Sequence, residues 1–151
     1  MITQILIKKA LRSCSKKNNI RIPLLVRALK NSDAGMHSAF RYWLTKEISD
    51  YLILQVKNTK EIYLFGSTIK GNAGLASDID LMIVPNKKKF SRQDFLRLEK
   101  GLVYNYQKLI GRIKGFSGLL DIKIIKEAEV KAGKGIACLA SSIHSPAIKF
   151  V

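Results

Sequence analysis

The sequence predicts an α/β (α+β) chain of three short strands and several helices. Residues 61–65, 78–84 and 119–125 are apolar runs of strand length, rich in β-branched and aromatic residues. The longer segments around them carry apolar residues every three or four positions, the helical period. At 151 residues and 47% hydrophobic, with mean hydropathy +0.03, the chain is long and apolar enough for one domain with a buried core.

In chain order, Ile2, Ile5, Leu6, Leu11 and Cys14 fall near one another at helical spacing, which predicts a first amphipathic helix over residues 2–14. The polar stretch Ser15–Asn19 ends it. Pro23 suits the first turn of a second helix reaching about Lys30, where a missing N–H costs nothing. Asn31-Ser32-Asp33-Ala34-Gly35 is a turn cluster. The basic helix pair also allows a helix-turn-helix reading. Phe40, Trp43, Leu44, Ile48, Tyr51, Leu52 and Gln55 then predict a long helix from Met36 to Val56, with Trp43 and Tyr51 in the core.

A buried strand at 61–65, a short helix over Thr68–Ala73 and a second strand at Asp78–Val84 come next. Lys87-Lys88-Lys89 is a loop. Ser91 followed by Asp94 resembles a capping box at the start of a helix burying Phe95, Leu98, Leu102, Tyr106, Leu109 and Ile110. Gly111–Ser117 loosens the chain before the third strand, Leu119–Ile125. The tail, with Gly133, Gly135, Ser141, Ser142 and Pro146, is expected to form short helices or an ordered loop.

Composition narrows the function classes. No window approaches the roughly 18 consecutive apolar residues of a membrane span. Cys14 and Cys138 have no CxxC or histidine at ligand spacing, so they read as buried or half-buried thiols in a reducing, cytoplasmic compartment. His37 and His144 read as surface or packing residues. The net charge is +16, and Lys8, Lys9, Arg12, Lys16, Lys17, Arg21, Arg27 and Lys30 precede the first acid, Asp33. Such a field attracts polyanions: nucleotides, RNA or an acidic protein. An acid-free start also resembles an organelle transit peptide, although the apolar pattern runs straight on into the domain.

Within so basic a chain, acids inside apolar strands need a reason. Gly66-Ser67 ends the first strand; after ten intervening residues Asp78-Ile79-Asp80 opens the second, and Asp121 lies in the third. Side chains alternate along a strand, so Asp78 and Asp80 share one face while Ile79, Leu81 and Ile83 point to the core. A glycine lets a phosphate approach the backbone, and Ser67 with the N–H groups after it would face that phosphate at a helix start. If the first two strands pair antiparallel, the phosphate loop and the carboxylates become neighbours. These are the parts of a two-metal site, in which paired Mg²⁺ ions clamp the attacking and leaving oxygens of an in-line displacement. Lys70 could touch phosphate, Ser77 could cap or orient Asp78, and Lys123 could meet phosphate or pair with the acids. The P-loop, GxGxxG, HExxH and GxSxG patterns do not occur.

Phe65-Gly66-Ser67-x10-Asp78-x-Asp80 with a later Asp121 resembles the nucleotidyltransferases of the DNA polymerase β superfamily. The finer string Gly66-Ser67-Thr68-Ile69-Lys70-Gly71 … Ser77-Asp78-Ile79-Asp80-Leu81 is similar to the small prokaryotic branch, the minimal nucleotidyltransferases, with Lys70 where arginine is usual and Ile69 where alanine is usual. The resemblance covers about residues 61–125. It implies a three-stranded mixed sheet with helices packed against it, dividing the single domain into a basic helical extension (1–34), a catalytic core (35–126) and a tail (127–151). It also implies dependence on two Mg²⁺ ions, with Mn²⁺ a substitute. Asp78 and Asp80 would bind both metals, Asp121 would bind the catalytic one, and Gly66 and Ser67 would hold the phosphates.

The expected reaction is transfer of NMP, AMP from ATP first among the choices, to a hydroxyl. Members of this branch often act as antitoxins that adenylylate a tyrosine on a HEPN-domain toxin, so a protein acceptor is expected first and RNA second. The positive charge and the short stretch after Asp121 disfavour an aminoglycoside. The alternative is a non-enzymatic antitoxin, or a module binding RNA or a protein partner, that retains the fold.

Overall fold

The computed structural model describes residues 2–114, 116, 118–132 and 147–150. The N-terminal layer is helical. Helix α1 (Ile2–Lys17) buries Thr3, Leu6, Ile7, Ala10, Leu11 and Cys14, three or four residues apart, and ends on Lys16 and Lys17, whose charge suits a helix C-terminus. Ile5, expected on the inner face, is 46% exposed. The inner stripe centres on Thr3, Leu6 and Ala10, and Ile5 lies off that line. Burial pushes the Cys14 thiol up to about 11, which keeps it protonated and inert.

Helix α2 (Ile22–Lys30) opens with Pro23 in its first turn, and Leu25 and Leu29 are buried. Helix α3 (Ala34–Asp50) is capped by Asp33, whose side chain accepts from the Met36 N–H at 3.0 Å. The long helix predicted to Val56 stops being α-helical at Asp50. Tyr51–Val56 winds as a π-helix that ends on Lys57 in the left-handed conformation. Its wider turn shifts the side-chain phase, so Leu52 stays buried while Gln55 faces solvent. Trp43 and Tyr51 pack against the core only partly buried.

Strand β1 (Thr59–Phe65) leads through helix α4 (Ser67–Lys70) and a loop to strand β2 (Ile79–Pro85). Helix α5 (Arg92–Ile110) follows, burying Phe95, Leu98, Leu102, Tyr106 and Ile110. Ser91 stands at its N-cap without a side-chain cap bond, so the expected capping box does not form; Asp94 instead accepts from Asn58 Nδ2 at 3.4 Å. Strand β3 (Leu120–Ile124), helix α6 (Glu127–Ala132) and strand β4 (Ile148–Phe150) complete the described chain.

The mixed sheet is four-stranded, in the order β3-β2-β1-β4, not three-stranded as expected. Strand β4 pairs antiparallel with β1, Tyr63 opposite Lys149, and covers an edge that would otherwise expose unpaired N–H and C=O groups. Three residues are too few to carry a readable period, which is why this strand was not anticipated in the tail. The other tail residues named above, with Cys138 and His144, lie outside the described residues.

Strand alternation sorts the two faces. Ile62 and Leu64 of β1, and Ile79, Leu81 and Ile83 of β2, join the helices in the main core. Tyr63, Met82, Val84 and Ile125 form a smaller cluster on the other face, with Phe65, Val130 of α6 and Ala147 against it. That second face is where the acids emerge.

Candidate active site

Strands β1 and β2 pair antiparallel with Phe65 opposite Asp80, and β2 and β3 pair parallel with Asp80 opposite Asp121. The last residue of β1 and the two acids therefore stand in one row across the sheet. Asp80 alternates with the core residues Ile79 and Leu81, so its carboxylate leaves on the face opposite the main core, and Asp121 does the same beside it. Asp78 lies one residue before β2 and is exposed, while Asp80 and Asp121 are half-buried.

Burial pushes the Asp80 carboxyl up to about 6, helped by the charges of Asp78 and Asp121 and by a hydrogen bond shared with Asp121; Lys123 opposes the shift. Lys123 Nζ reaches Asp121 Oδ1 at 3.3 Å, the ion pair that is one of its two expected roles.

Gly66 adopts φ +78° and ψ −149°, a conformation open essentially to glycine alone. A Cβ there would collide with Asp80 Oδ2 and stand 2.9 Å from its carboxyl carbon. The glycine is thus pressed against the central acid. Ser67 begins α4, whose single turn is closed by Gly71 at φ +75°. Lys70, at the end of this turn, is exposed. Ser77 accepts the Gly74 N–H on its Oγ at 2.9 Å, which folds the loop just before Asp78.

The sequence reading missed the buried anchor of that loop. Arg41 of α3 is fully buried, and its Nη2 donates to the carbonyls of Ser77 (3.0 Å) and Leu75 (3.4 Å). Its Nη1 donates to His37 Nδ1 at 2.7 Å, and its guanidinium lies 5.5 Å from the centre of the Tyr106 ring. His37 Nε2 must then be the protonated nitrogen, because it meets the Leu29 carbonyl at 2.6 Å. Burial and the neighbouring Arg41 lower the His37 pKa to about 4, keeping the ring neutral. Ser38, also on α3, accepts from the Ala73 N–H at 3.1 Å. One helix face thereby fixes both ends of the segment that delivers Asp78. The available signal was His37 and Arg41 one turn apart, on the same face as Phe40, Leu44 and Ile48.

On the other side, Glu99 of α5 accepts the backbone N–H groups of Leu119 (2.6 Å) and Leu120 (3.1 Å), which seats β3 and hence Asp121. Burial raises the Glu99 carboxyl despite these bonds.

Among the described residues, no three His, Cys, Asp or Glu side chains gather tightly enough to form a ready metal cage. The adjacent pair Asp80 and Asp121, with Asp78 near enough to raise the Asp80 pKa, offers only oxygen donors. That set suits a hard cation such as Mg²⁺, which commonly takes one or two carboxylates and completes its shell with substrate phosphates and water.

The family model described as "Polymerase beta, Nucleotidyltransferase" matches residues 46–136, a span that includes Gly66, Ser67, Asp78, Asp80 and Asp121. No curated protein and no solved structure matches the chain.

Proposed function

The chain belongs to the polymerase β nucleotidyltransferase family, and we propose that it transfers a nucleoside monophosphate, AMP from ATP in the first instance, to a hydroxyl of a macromolecular acceptor. The observation that carries this reading is Asp80 standing beside Asp121 on the second face of the sheet, with Gly66 pressed against the Asp80 carboxyl. Gly66 would let a triphosphate approach the backbone at the start of α4, with Lys70 exposed at the end of the same turn. Asp80 and Asp121 would hold Mg²⁺, assisted by Asp78, and the bound ion would neutralise charge on the leaving pyrophosphate and favour ionisation of the acceptor hydroxyl. Asp121 would take the hydroxyl proton as the new P–O bond forms and the bond to pyrophosphate breaks. Arg41 and Glu99 act through the backbone, holding the segments that present Asp78 and Asp121.

Pyrophosphate release from ATP with Mg²⁺ and a protein or RNA acceptor tests this reading. Turnover that disappears in Asp80→Asn supports it; ATP binding without release from any acceptor overturns it. One observation favours a second reading, a non-enzymatic partner-binding module: the Lys123 ammonium occupies Asp121 Oδ1, where a cation would otherwise bind. Lys123→Ala separates the two, since it should ease Mg²⁺ binding in an enzyme and change nothing at a vestigial site.

A further inference from the structure

Helix α5 carries a row of exposed residues unrelated to core packing. Lys100, Tyr104 and Lys108 are each one turn apart, and Arg112 continues the row just past the helix end. Lys100, Tyr104 and Lys108 stand about 6 Å apart along the axis. They line a groove of about 670 Å³, which meets at Lys108 a second groove of about 430 Å³ between α1 and α5, where Lys8 and Arg12 lie. None of these five cations belongs to an ion pair among the described residues. The one acid in either lining is Glu99, whose carboxylate is engaged by the Leu119 and Leu120 N–H groups.

Tyr104 is 63% exposed in the middle of this row, with Lys108 Nζ 6.0 Å from its ring centre. So exposed a ring adds little to the core. A cationic groove interrupted by an exposed aromatic ring is the arrangement that binds single-stranded nucleic acid, with cations along the backbone and a base on the ring. An acidic protein would use the charges but would have no need of the ring.

We propose that the α5 groove, continued onto α1, is a binding surface for single-stranded nucleic acid, with Lys8, Arg12, Lys100, Lys108 and Arg112 meeting phosphates and Tyr104 stacking on a base. Glu99, whose carboxylate seats β3 and hence Asp121, lines the same groove. Binding of this kind needs neither Mg²⁺ nor turnover, so it stands apart from the carboxylate site and can be tested without it.

The test is fluorescence anisotropy of the full chain in EDTA with labelled oligouridine and oligothymidine of about 15 nucleotides, the upper range of common single-strand sites, across a salt series. Affinity should fall with salt, by a log–log slope of about −0.7 for each phosphate engaged. Lys100→Glu and Lys108→Glu should weaken binding and flatten that slope. Tyr104→Ala should cost about ten-fold, in the range for loss of one stacked base, whereas Tyr104→Phe should bind normally. Binding of both oligomers, or of RNA alone, supports the proposal and identifies the ligand. Wild-type affinity in Tyr104→Ala and Lys108→Glu overturns it. Displacement by polyglutamate as readily as by unlabelled oligouridine also overturns it and assigns the surface to an acidic protein. Failure here leaves pyrophosphate release untouched, and failure of pyrophosphate release leaves the anisotropy untouched.

Discussion

Gly66 and the Asp80 carboxyl are packed so closely that a Cβ on residue 66 would lie 2.9 Å from Asp80 Cγ. The glycine therefore leaves room for the acid in the neighbouring strand, and in the proposed reaction it would also let a phosphate approach the backbone. Sequence reasoning alone expects Gly66→Val to abolish nucleotide binding with little effect on the fold. The collision and the positive φ now add a stability cost of about 1–3 kcal/mol. Gly66→Ala should lower the melting temperature and abolish ATP binding. Gly66→Ala combined with Asp80→Ala should recover part of the stability without recovering ATP binding. Wild-type ATP affinity in a folded Gly66→Ala would remove the phosphate-loop assignment.

Asp80 should destabilise the metal-free protein at neutral pH. Its folded pKa, about 6, lies above the ordinary value of 3.8, so the folded state holds its proton more tightly than the unfolded state does. Stability from this group is present in acid and lost as pH rises from about 4 through 6. Asp80→Asn should then stabilise the metal-free protein at pH 7 by on the order of 1 kcal/mol, after discounting for solvent screening of a half-exposed group. The same variant should lose any thermal shift that Mg²⁺ gives the wild type. A Mg²⁺ shift of wild-type size in Asp80→Asn would contradict the metal assignment.

His37 works in the opposite direction. Its folded pKa, about 4, lies below the usual 6.5, so the unfolded chain takes up the proton first. Stability is intact above about 6.5 and lost as pH falls towards 4, by up to about 3 kcal/mol. Denaturant midpoints measured between pH 7 and 4 in the Asp80→Asn background remove the opposing contribution of Asp80. His37→Gln should flatten the profile; an unchanged slope would mean that His37 is not the group responsible.

Arg41 holds the loop before Asp78 by two carbonyls, Leu75 and Ser77. Arg41→Lys keeps a positive charge but lacks the planar fork that spans both acceptors and His37. We expect a loss of about 1–3 kcal/mol, the cost of leaving buried polar groups unpaired, and faster proteolysis within residues 71–78. If cleavage in that segment is unchanged, the loop is anchored by other contacts, such as Ser38 with Ala73.

The strands, helices and acidic pattern were legible because each is a local regularity. Alternation around Asp80 and a period near 3.6 along α5 follow from backbone geometry, and glycine followed by a one-turn helix is likewise encoded within a few residues. These regularities placed Asp80 and Asp121 in strands and Gly66 at the end of the first. Which strands are neighbours is not a local property. The parallel register that sets Asp121 beside Asp80 requires α5 to cross between β2 and β3, and β4 exists as a strand only because β1 presents an open edge. The π-helix after Asp50 likewise breaks a period that the sequence alone would continue to Val56. The buried partnership of Arg41, His37 and Tyr106 joins residues from α3 and α5 to a loop 34 to 36 residues beyond Arg41. A charged side chain can be buried only where distant groups satisfy it. Local pattern therefore determined the parts of this site, and long-range pairing decided how they meet.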